Sequence, residues 1–366
     1  MPSTMFSPME LRSIAIANRI TVSPMCQYSA TDGVPGDWHV AHLGQFAMGG
    51  AGLIFVEATG VEADGRITLG CTGLYDKATE AAFARIVAFL RKIGNAKIGI
   101  QLNHAGRKGS TVAPWEGGGL IEGDGGWQTE CASAVPYLPD WPMPREMDAA
   151  SLDRVKGAFV DAAERADRAG FDVIELHVAH GYLLHQFLSP ITNRRGDAYG
   201  GSPENRMRYP LEVFEAVRAA FPEEKPVFVR LSATDWIDGA WDVDQSVAFC
   251  IALKELGCDL VDVSSGGLDQ RQSIAVGPGY QVAFSERIRN EAGIATMAVG
   301  QITDPVHAET VLSSGQADLV ALARGMLWDP RWAWHAALAL GEEIELPAPY
   351  ARCNPELRGR PFVTRS

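Results

Sequence analysis

Basic residues are scarce in this chain. Against 45 aspartates and glutamates stand 32 lysines and arginines, a net charge of -13 that offers neither nucleic acid nor an anionic membrane surface a positive face. A phosphate bound here therefore needs local basic groups. No apolar run approaches the roughly 20 residues of a membrane span, and Met1 to Leu11 has neither the basic start nor the apolar centre of a secretion signal. The six cysteines, at 26, 71, 131, 250, 258 and 353, include no Cys-x-x-Cys pair and no spacing suited to a metal or a disulfide framework. That usage fits reduced thiols in the cytoplasm. Disorder is excluded as well, because 46% hydrophobic and 21% charged residues over 366 positions fill one large α/β domain or two smaller ones.

A weak repeat organises the chain. Ala169-Gly-Phe-Asp172, Leu256-Gly-Cys-Asp259 and Ser314-Gly-Gln-Ala-Asp318 each lead into an apolar strand. Helical apolar spacing precedes the first copy, at Leu152, Val155, Phe159, Ala163 and Ala166, so the glycine reads as a helix C-cap before a buried strand. Eight strands of this kind are expected near 20–23, 53–58, 98–102, 173–176, 227–231, 260–263, 296–299 and 319–323. That count favours an α/β fold with a single (β/α)8 TIM barrel over an open sheet. No linker or shift of composition divides residues 1–366, which read as one domain. Residues 1–18 suggest a hairpin closing the barrel bottom, and 345–366 a C-terminal tail. Residues 104–150, after the third barrel strand, are rich in Gly, Pro and Trp and read as a capping, lid-like insertion. The alternative for the insertion, and more so for its stretch 137–144, is a passive surface loop.

Chemistry-bearing residues gather where the predicted strands end. The first ends at Ser23-Pro24-Met25-Cys26-Gln27-Tyr28, the second at Glu57-Ala58-Thr59, and the third at Gln101 through His104-Ala-Gly-Arg107-Lys108. The fourth delivers His177, His180 and Tyr182; the others end at Arg230, Ser264-Ser265-Gly266-Gly267, Gly300 and Ala323-Arg324-Gly325. Barrels bind phosphate after their last two strands, where this chain has glycine and arginine. Gln101 donates and accepts, which suits a heterocycle edge, and Arg230 can balance negative charge on a reduced ring. A structural ion pair is the other use open to Arg230.

The imidazoles of His177 and His180 can converge on one oxygen if the chain turns sharply at Gly181. Metal binding would need a third ligand; His185 is the only nearby extra one, and Val178-Ala179 supplies no glutamate between the histidines. Capping or core roles for the histidines also remain open.

Taken jointly, Asn18-Arg-Ile, Pro24-Met-Cys26, Gln101 to Lys108, His177 to Tyr182 and Asp197 to Arg206 resemble the Old Yellow Enzyme family of flavin-dependent ene reductases over nearly the whole chain. Cys26 with Tyr28 and the tail Pro347-Ala-Pro-Tyr-Ala-Arg352 is similar to its bacterial, thermophilic-like branch. The resemblance implies FMN bound non-covalently at the barrel mouth, with NADPH or NADH and an activated alkene reacting there alternately. By position it implies that Ser23, Pro24, Met25, Cys26, Ala58, Gln101, Arg230, Gly300, Ala323 and Arg324 hold FMN. His177 and His180 would hold the substrate's carbonyl or nitro oxygen, hydride would pass from the flavin to the β-carbon, and Tyr182 would protonate the α-carbon. Cys26 would tune the flavin without a covalent step, and Tyr28 and Lys108 would line the substrate side. Enones, maleimides and nitroalkenes are the acceptors implied, with a xenobiotic reductase acting mainly on nitro compounds or nitrate esters as the alternative. A homodimer or homotetramer is also implied, with Arg352 reaching into a neighbouring site; the other reading is a basic tail continuing through Arg358, Arg360 and Arg365. Ala323 departs from the glycine common at its position. A relative carrying an iron–sulfur cluster would need closely spaced cysteines after the barrel, where only Cys353 lies. A metal hydrolase barrel would want an early His-x-His, and a non-catalytic barrel predicts a colourless protein.

Overall fold

The computed structural model describes residues 3–353. β1 (Met9–Leu11) and β2 (Ile14–Ile16) pair antiparallel as a hairpin. β3 (Ile20–Val22), β4 (Leu53–Gly60) and β5 (Lys97–Asn103) follow, then a long insertion whose short strands β6 (Glu130–Cys131) and β7 (Arg145–Glu146) pair with each other. β8 (Val173–Val178), β9 (Val227–Ser232), β10 (Leu260–Ser264), β11 (Ala295–Val299) and β12 (Leu319–Leu322) complete the set. β3, β4, β5, β8, β9, β10, β11 and β12 close into an eight-stranded parallel barrel, the (β/α)8 fold that the spacing predicts. Around it run α1 (Asp37–Ala47), α2 (Lys77–Ile93), α3 (Ala149–Ala169), the short α4 (Leu183–Leu188), α5 (Pro203–Ala220), α6 (Val243–Glu255), α7 (Val282–Ala292) and α8 (Pro305–Ser313), then α9 (Arg324–Trp328) and α10 (Trp332–Leu340). No helix among the described residues is long and apolar enough to cross a membrane.

The repeat has a mechanical purpose. Gly170, Gly257 and Gly315 sit at φ of +91°, +90° and +75°, ending α3, α6 and α8 in the left-handed conformation open to glycine. The aspartate that follows each glycine then binds the neighbouring strand. Asp172 Oδ2 accepts from Ile98 N at 2.9 Å, Asp259 Oδ2 from Val227 N at 2.9 Å, and Asp318 Oδ2 from Thr296 N at 3.0 Å. Each also meets an arginine: Arg91 at 2.8 Å, Arg12 of the hairpin turn at 2.6 Å, and Arg289 at 3.0 Å. Three strand starts at the barrel floor are stitched in this way.

Alternation along each strand sorts the barrel interior into layers. Val173, Phe228, Leu260, Met297 and Leu319 form an apolar floor layer, into which Leu11 and Ile16 of the hairpin pack. One step up, Glu175, Arg230, Asp262 and Gln101 replace it with buried polar groups. Another step up, His177, Ser232 and Ser264 reach the C-terminal rim. β8 runs two residues beyond its expected end and takes His177 into the sheet, so that imidazole is held by the ladder itself.

Candidate active site

β8 ends in a tight reversal. His180 has φ +57° and Gly181 φ +75°, so the expected sharp turn occupies both residues. Backbone contact dictates the second: a Cβ on Gly181 would lie 2.5 Å from Gly267 O, and one on Gly267 2.7 Å from His180 Cα. The loops after β8 and β10 therefore touch backbone to backbone. Lys108 bridges them, its Nζ donating to His180 O at 2.8 Å and Gly267 O at 2.9 Å. Lys108, expected to line the substrate side, commits its ammonium to these two carbonyls, with its charge 5.0 Å from the Tyr182 ring centre and 4.9 Å from that of Tyr137. Burial, and Arg107 after it, lower this lysine to about 8.

His177 and His180 lie with ring centres 5.1 Å apart and nearly perpendicular, and Tyr182 is 4.9 Å from His177. Burial, reinforced by Arg230, holds both imidazoles well below their ordinary range, so both are neutral. Ala179 N donates to His177 Nδ1 at 3.3 Å, which puts the His177 proton on Nε2. His180 Nε2 lies 2.7 Å from Ser264 Oγ. Gln281 Oε1 already takes the Ser265 hydroxyl at 2.6 Å, against 3.5 Å to Ser264. The Ser264 hydroxyl is thus free to donate to Nε2, leaving His180 with its proton on Nδ1. Each histidine then keeps one N–H for a ligand oxygen.

His185 does not join them. Its Nδ1 accepts from Gly181 N at 2.9 Å and its Nε2 lies 3.0 Å from Asp235 Oδ1, both side chains fully buried. It cannot supply a third metal ligand with the other two. Glu62, His104 and Glu130 lie close enough to surround a cation. However, Gly106 N donates to His104 Nδ1 at 3.0 Å, so Nε2 carries the proton and gives it to Glu62 Oε1 at 3.0 Å. Arg154 binds both glutamates, so the group is an ion-pair network joining the insertion to the barrel wall.

On the other side of the mouth, Cys26, Tyr28 and Tyr182 pack against a small apolar cluster of Ile67, Cys71 and Ala105. Burial, then the neighbouring Cys26 and Tyr28, push the Tyr182 phenol well above its ordinary range; Cys26 is likewise raised by burial, Cys71 and Glu57. A protonated phenol and a neutral thiol result. Behind them is a relay that sequence reasoning missed: His39 Nδ1 accepts from Gly36 N at 3.1 Å, so its Nε2–H faces Glu57 Oε1 at 3.1 Å, and Glu57 Oε2 accepts from Gln27 N at 2.9 Å. This fixes the backbone just after Cys26. Glu57 stands in a bulge of β4 between Val56 and Ala58, which no sequence signal marked.

The polar layer beneath the histidines carries two carboxyls and one guanidinium. Arg230 Nη1 lies 3.3 Å from Asp262 Oδ2, and Gln101 Nε2 donates to Glu175 Oε1 at 2.7 Å. Burial, with Asp262 adding to it, raises Glu175 well above the carboxylate range; burial raises Asp262 as well, but Arg230 works against it there, which leaves Glu175 the neutral member of the pair. Several buried polar atoms here have no hydrogen-bond partner in the protein, among them the donors Arg230 Nε and Ser23 Oγ and the carboxyl oxygens Glu175 Oε2, Asp262 Oδ1 and Asp262 Oδ2, although Ser23 N is tied to Leu322 O at 3.0 Å. Pro24 and Met25 are half-buried beside Ser23, and Ala58 is paired with Gln101. Gly300 has φ +127° and Ala323 stands just before α9, with Arg324 exposed as its first residue. Orphaned donors, a permissive glycine and an exposed arginine at one end of the barrel suit a flat heterocycle that carries a phosphate.

The insertion is anchored on the same side. Arg107 donates to Pro136 O at 2.9 Å and Leu268 O at 2.9 Å, and Arg195 to Ala132 O at 2.9 Å and Met147 O at 2.7 Å. Tyr28 meets Trp115 edge-on at 5.6 Å. Tyr137, in the stretch expected to be the more passive, faces Arg107 and Lys108. Residues 197–206 prove to be scaffold: Arg206 donates to Leu188 O at 2.8 Å, Gly201 O at 2.6 Å and Gln245 Oε1 at 2.6 Å. Arg352 is exposed in the last described turn, and Arg358, Arg360 and Arg365 lie outside the described residues.

A family model described as NADH:flavin oxidoreductase / NADH oxidase matches residues 4–343. Among curated relatives, the chain is similar to the NADPH dehydrogenase of Geobacillus thermodenitrificans, 46% identical over 358 residues and covering 96% of this chain and 99% of that protein. The NADPH dehydrogenase of Bacillus subtilis is 43% identical over 354 residues, with coverage of 96% and 99%. Among solved structures, morphinone reductase superposes with a TM-score of 0.76 at 29% identity, covering 95% of this chain and 92% of the other. The old yellow enzyme homologue from Zymomonas mobilis gives 0.75 at 25%, covering 94% of each.

Proposed function

The chain belongs to the NADH:flavin oxidoreductase / NADH oxidase family, and from that premise we propose that it is an FMN-dependent NAD(P)H oxidoreductase reducing the C=C bond of activated alkenes. The observation that carries the reading is the set of two neutral imidazoles, each keeping one N–H, beside a buried protonated phenol. Ser23 to Cys26, Ala58, Gln101, Arg230, Gly300, Ala323 and Arg324 would hold FMN. When bound, FMN would supply the hydride chemistry between NAD(P)H and the acceptor.

The residues do the rest. His177 and His180 bind the carbonyl or nitro oxygen of the acceptor and stabilise the charge that develops there, which neutral donors in a water-poor site do well. Tyr182 donates the proton that completes the alkane; its raised range keeps it protonated at neutral pH. Cys26, thiol rather than thiolate, borders the cofactor and takes no covalent part. Tyr28, with Trp115 against it, forms the apolar wall that the alkene meets.

The test is an absorbance spectrum of the purified protein, then anaerobic NADPH, then 2-cyclohexenone. Flavin bands that bleach with NADPH and return with the enone support the reading. A protein that takes up no flavin when FMN is supplied overturns it. Bleaching that the enone does not reverse, but a nitrate ester does, moves the substrate class to nitro compounds and nitrate esters.

A further inference from the structure

Glu175 has no part in the chemistry above, yet it lies at the centre of the barrel with no exposed surface. Its Oε1 accepts from Gln101 Nε2 at 2.7 Å, and its Oε2 has no partner. An ionised carboxylate with one oxygen unpaired in a fully buried site is costly, and the single guanidinium nearby already faces Asp262 at 3.3 Å. Glu175 is therefore neutral, with Oε1 the carbonyl oxygen that accepts from Gln101 and the proton on Oε2. Gln101 is the group whose mixed donor and acceptor character suits a heterocycle edge, but a free side-chain amide can rotate and exchange its oxygen for its nitrogen. Only the contact with Glu175 tells the two ends apart: with Nε2 committed there, the amide oxygen is the end left open to accept.

We propose that Glu175 is a positioning residue for the cofactor, fixing the amide of Gln101 so that the cradle offers a hydrogen-bond acceptor in a set place and selects a ring edge that presents N–H to it. The imide edge of a flavin has that pattern. This rests on the FMN reading, and it adds a residue that touches no ligand.

The test uses the holoenzyme and the variants E175L, E175Q, Q101L and Q101L/E175L, each read by its FMN dissociation constant and the reduction potential of the bound flavin. Loss of one oriented hydrogen bond should weaken FMN roughly tenfold in E175L and shift the potential. E175Q, which keeps an acceptor for Gln101, should stay within about threefold of the parent. Q101L/E175L should bind FMN no more weakly than Q101L, because Glu175 acts through Gln101. Parent-like affinity and potential in E175L, additive losses in the double variant, or equal damage in E175Q and E175L would each overturn the proposal. Should E175L not fold, the infrared spectrum of the parent holoenzyme decides. A protonated-carboxyl band that shifts in D2O and vanishes in E175Q supports a neutral Glu175; no such band refutes it. If the parent chain binds no FMN, the cofactor reading has failed, which is a separate outcome.

Discussion

At the N-terminal floor of the barrel, Asp172, Asp259 and Asp318 each bind an N–H in the first two residues of a neighbouring strand and an arginine besides, whereas near the C-terminal mouth Ser23 Oγ and Arg230 Nε are buried with no hydrogen-bond partner. Both ends contain polar groups in a low-dielectric interior. At the floor each is answered within the protein, and the result is stability. At the mouth some are left for a ligand, and the fold bears the desolvation until one arrives.

The sharpest separation of the two ends should come from Tyr182→Phe. Enone-driven reoxidation of the flavin should slow by about 10²–10⁴-fold while its reduction by NADPH and the unfolding midpoint hold; stopped-flow measurement of both half-reactions checks this, and equal slowing of both removes Tyr182 from the proton-donor role. Next in size is Asp172→Ala, which orphans Ile98 N and takes from Arg91 its carboxylate while leaving it the Gly170 carbonyl. It should cost roughly 1–3 kcal/mol in denaturant unfolding and leave FMN affinity unchanged. A floor variant that lost flavin but no stability would break the comparison. Smaller again, Cys26→Ala should shift the flavin potential and alter turnover by less than about tenfold, since a neutral thiol is lost and no bond-forming group. Potentiometry measures the shift, and complete loss of turnover with flavin bound contradicts it.

The smallest effect is a pH dependence at the boundary between the ends. Burial works upward on Glu62, but His104 and Arg154 outweigh it and bring its carboxyl to about 2. Its folded value is below its unfolded one, so its contribution is present above about pH 4.5 and lost as pH falls toward 2. Acid unfolding followed at the insertion tryptophans should show this loss, and Glu62→Gln should flatten it.

The barrel was legible because its signals are local. A glycine at a left-handed helix end and an apolar run after it can be read from consecutive residues, as at Gly170, Gly257 and Gly315. The rim residues were legible for the same reason, since each stands just past its own strand. What escaped is what depends on distant partners. The tautomer of His180 is set by Ser264, 84 residues on, and Glu175 shows its use only beside Gln101, 74 residues back. The two carbonyls that Lys108 binds, of His180 and Gly267, lie 72 and 159 residues on, and a lysine after a strand carries no mark of which carbonyls it will meet. The bulge that aims Glu57 at Gln27 left no trace in residue type.

The contact between Gly181 and Gly267, closed by Lys108, bears on how such a site can diversify. The aim of the two histidines is set by backbone against backbone, in loops of the barrel itself. Trp115 and Tyr137, which meet Tyr28 and Lys108, belong to the insertion. A lineage, or a directed-evolution campaign, can therefore redraw the acceptor-facing wall through the insertion while the oxygen-binding pair keeps its geometry. Changes at the two glycines, by contrast, would move every substrate at once.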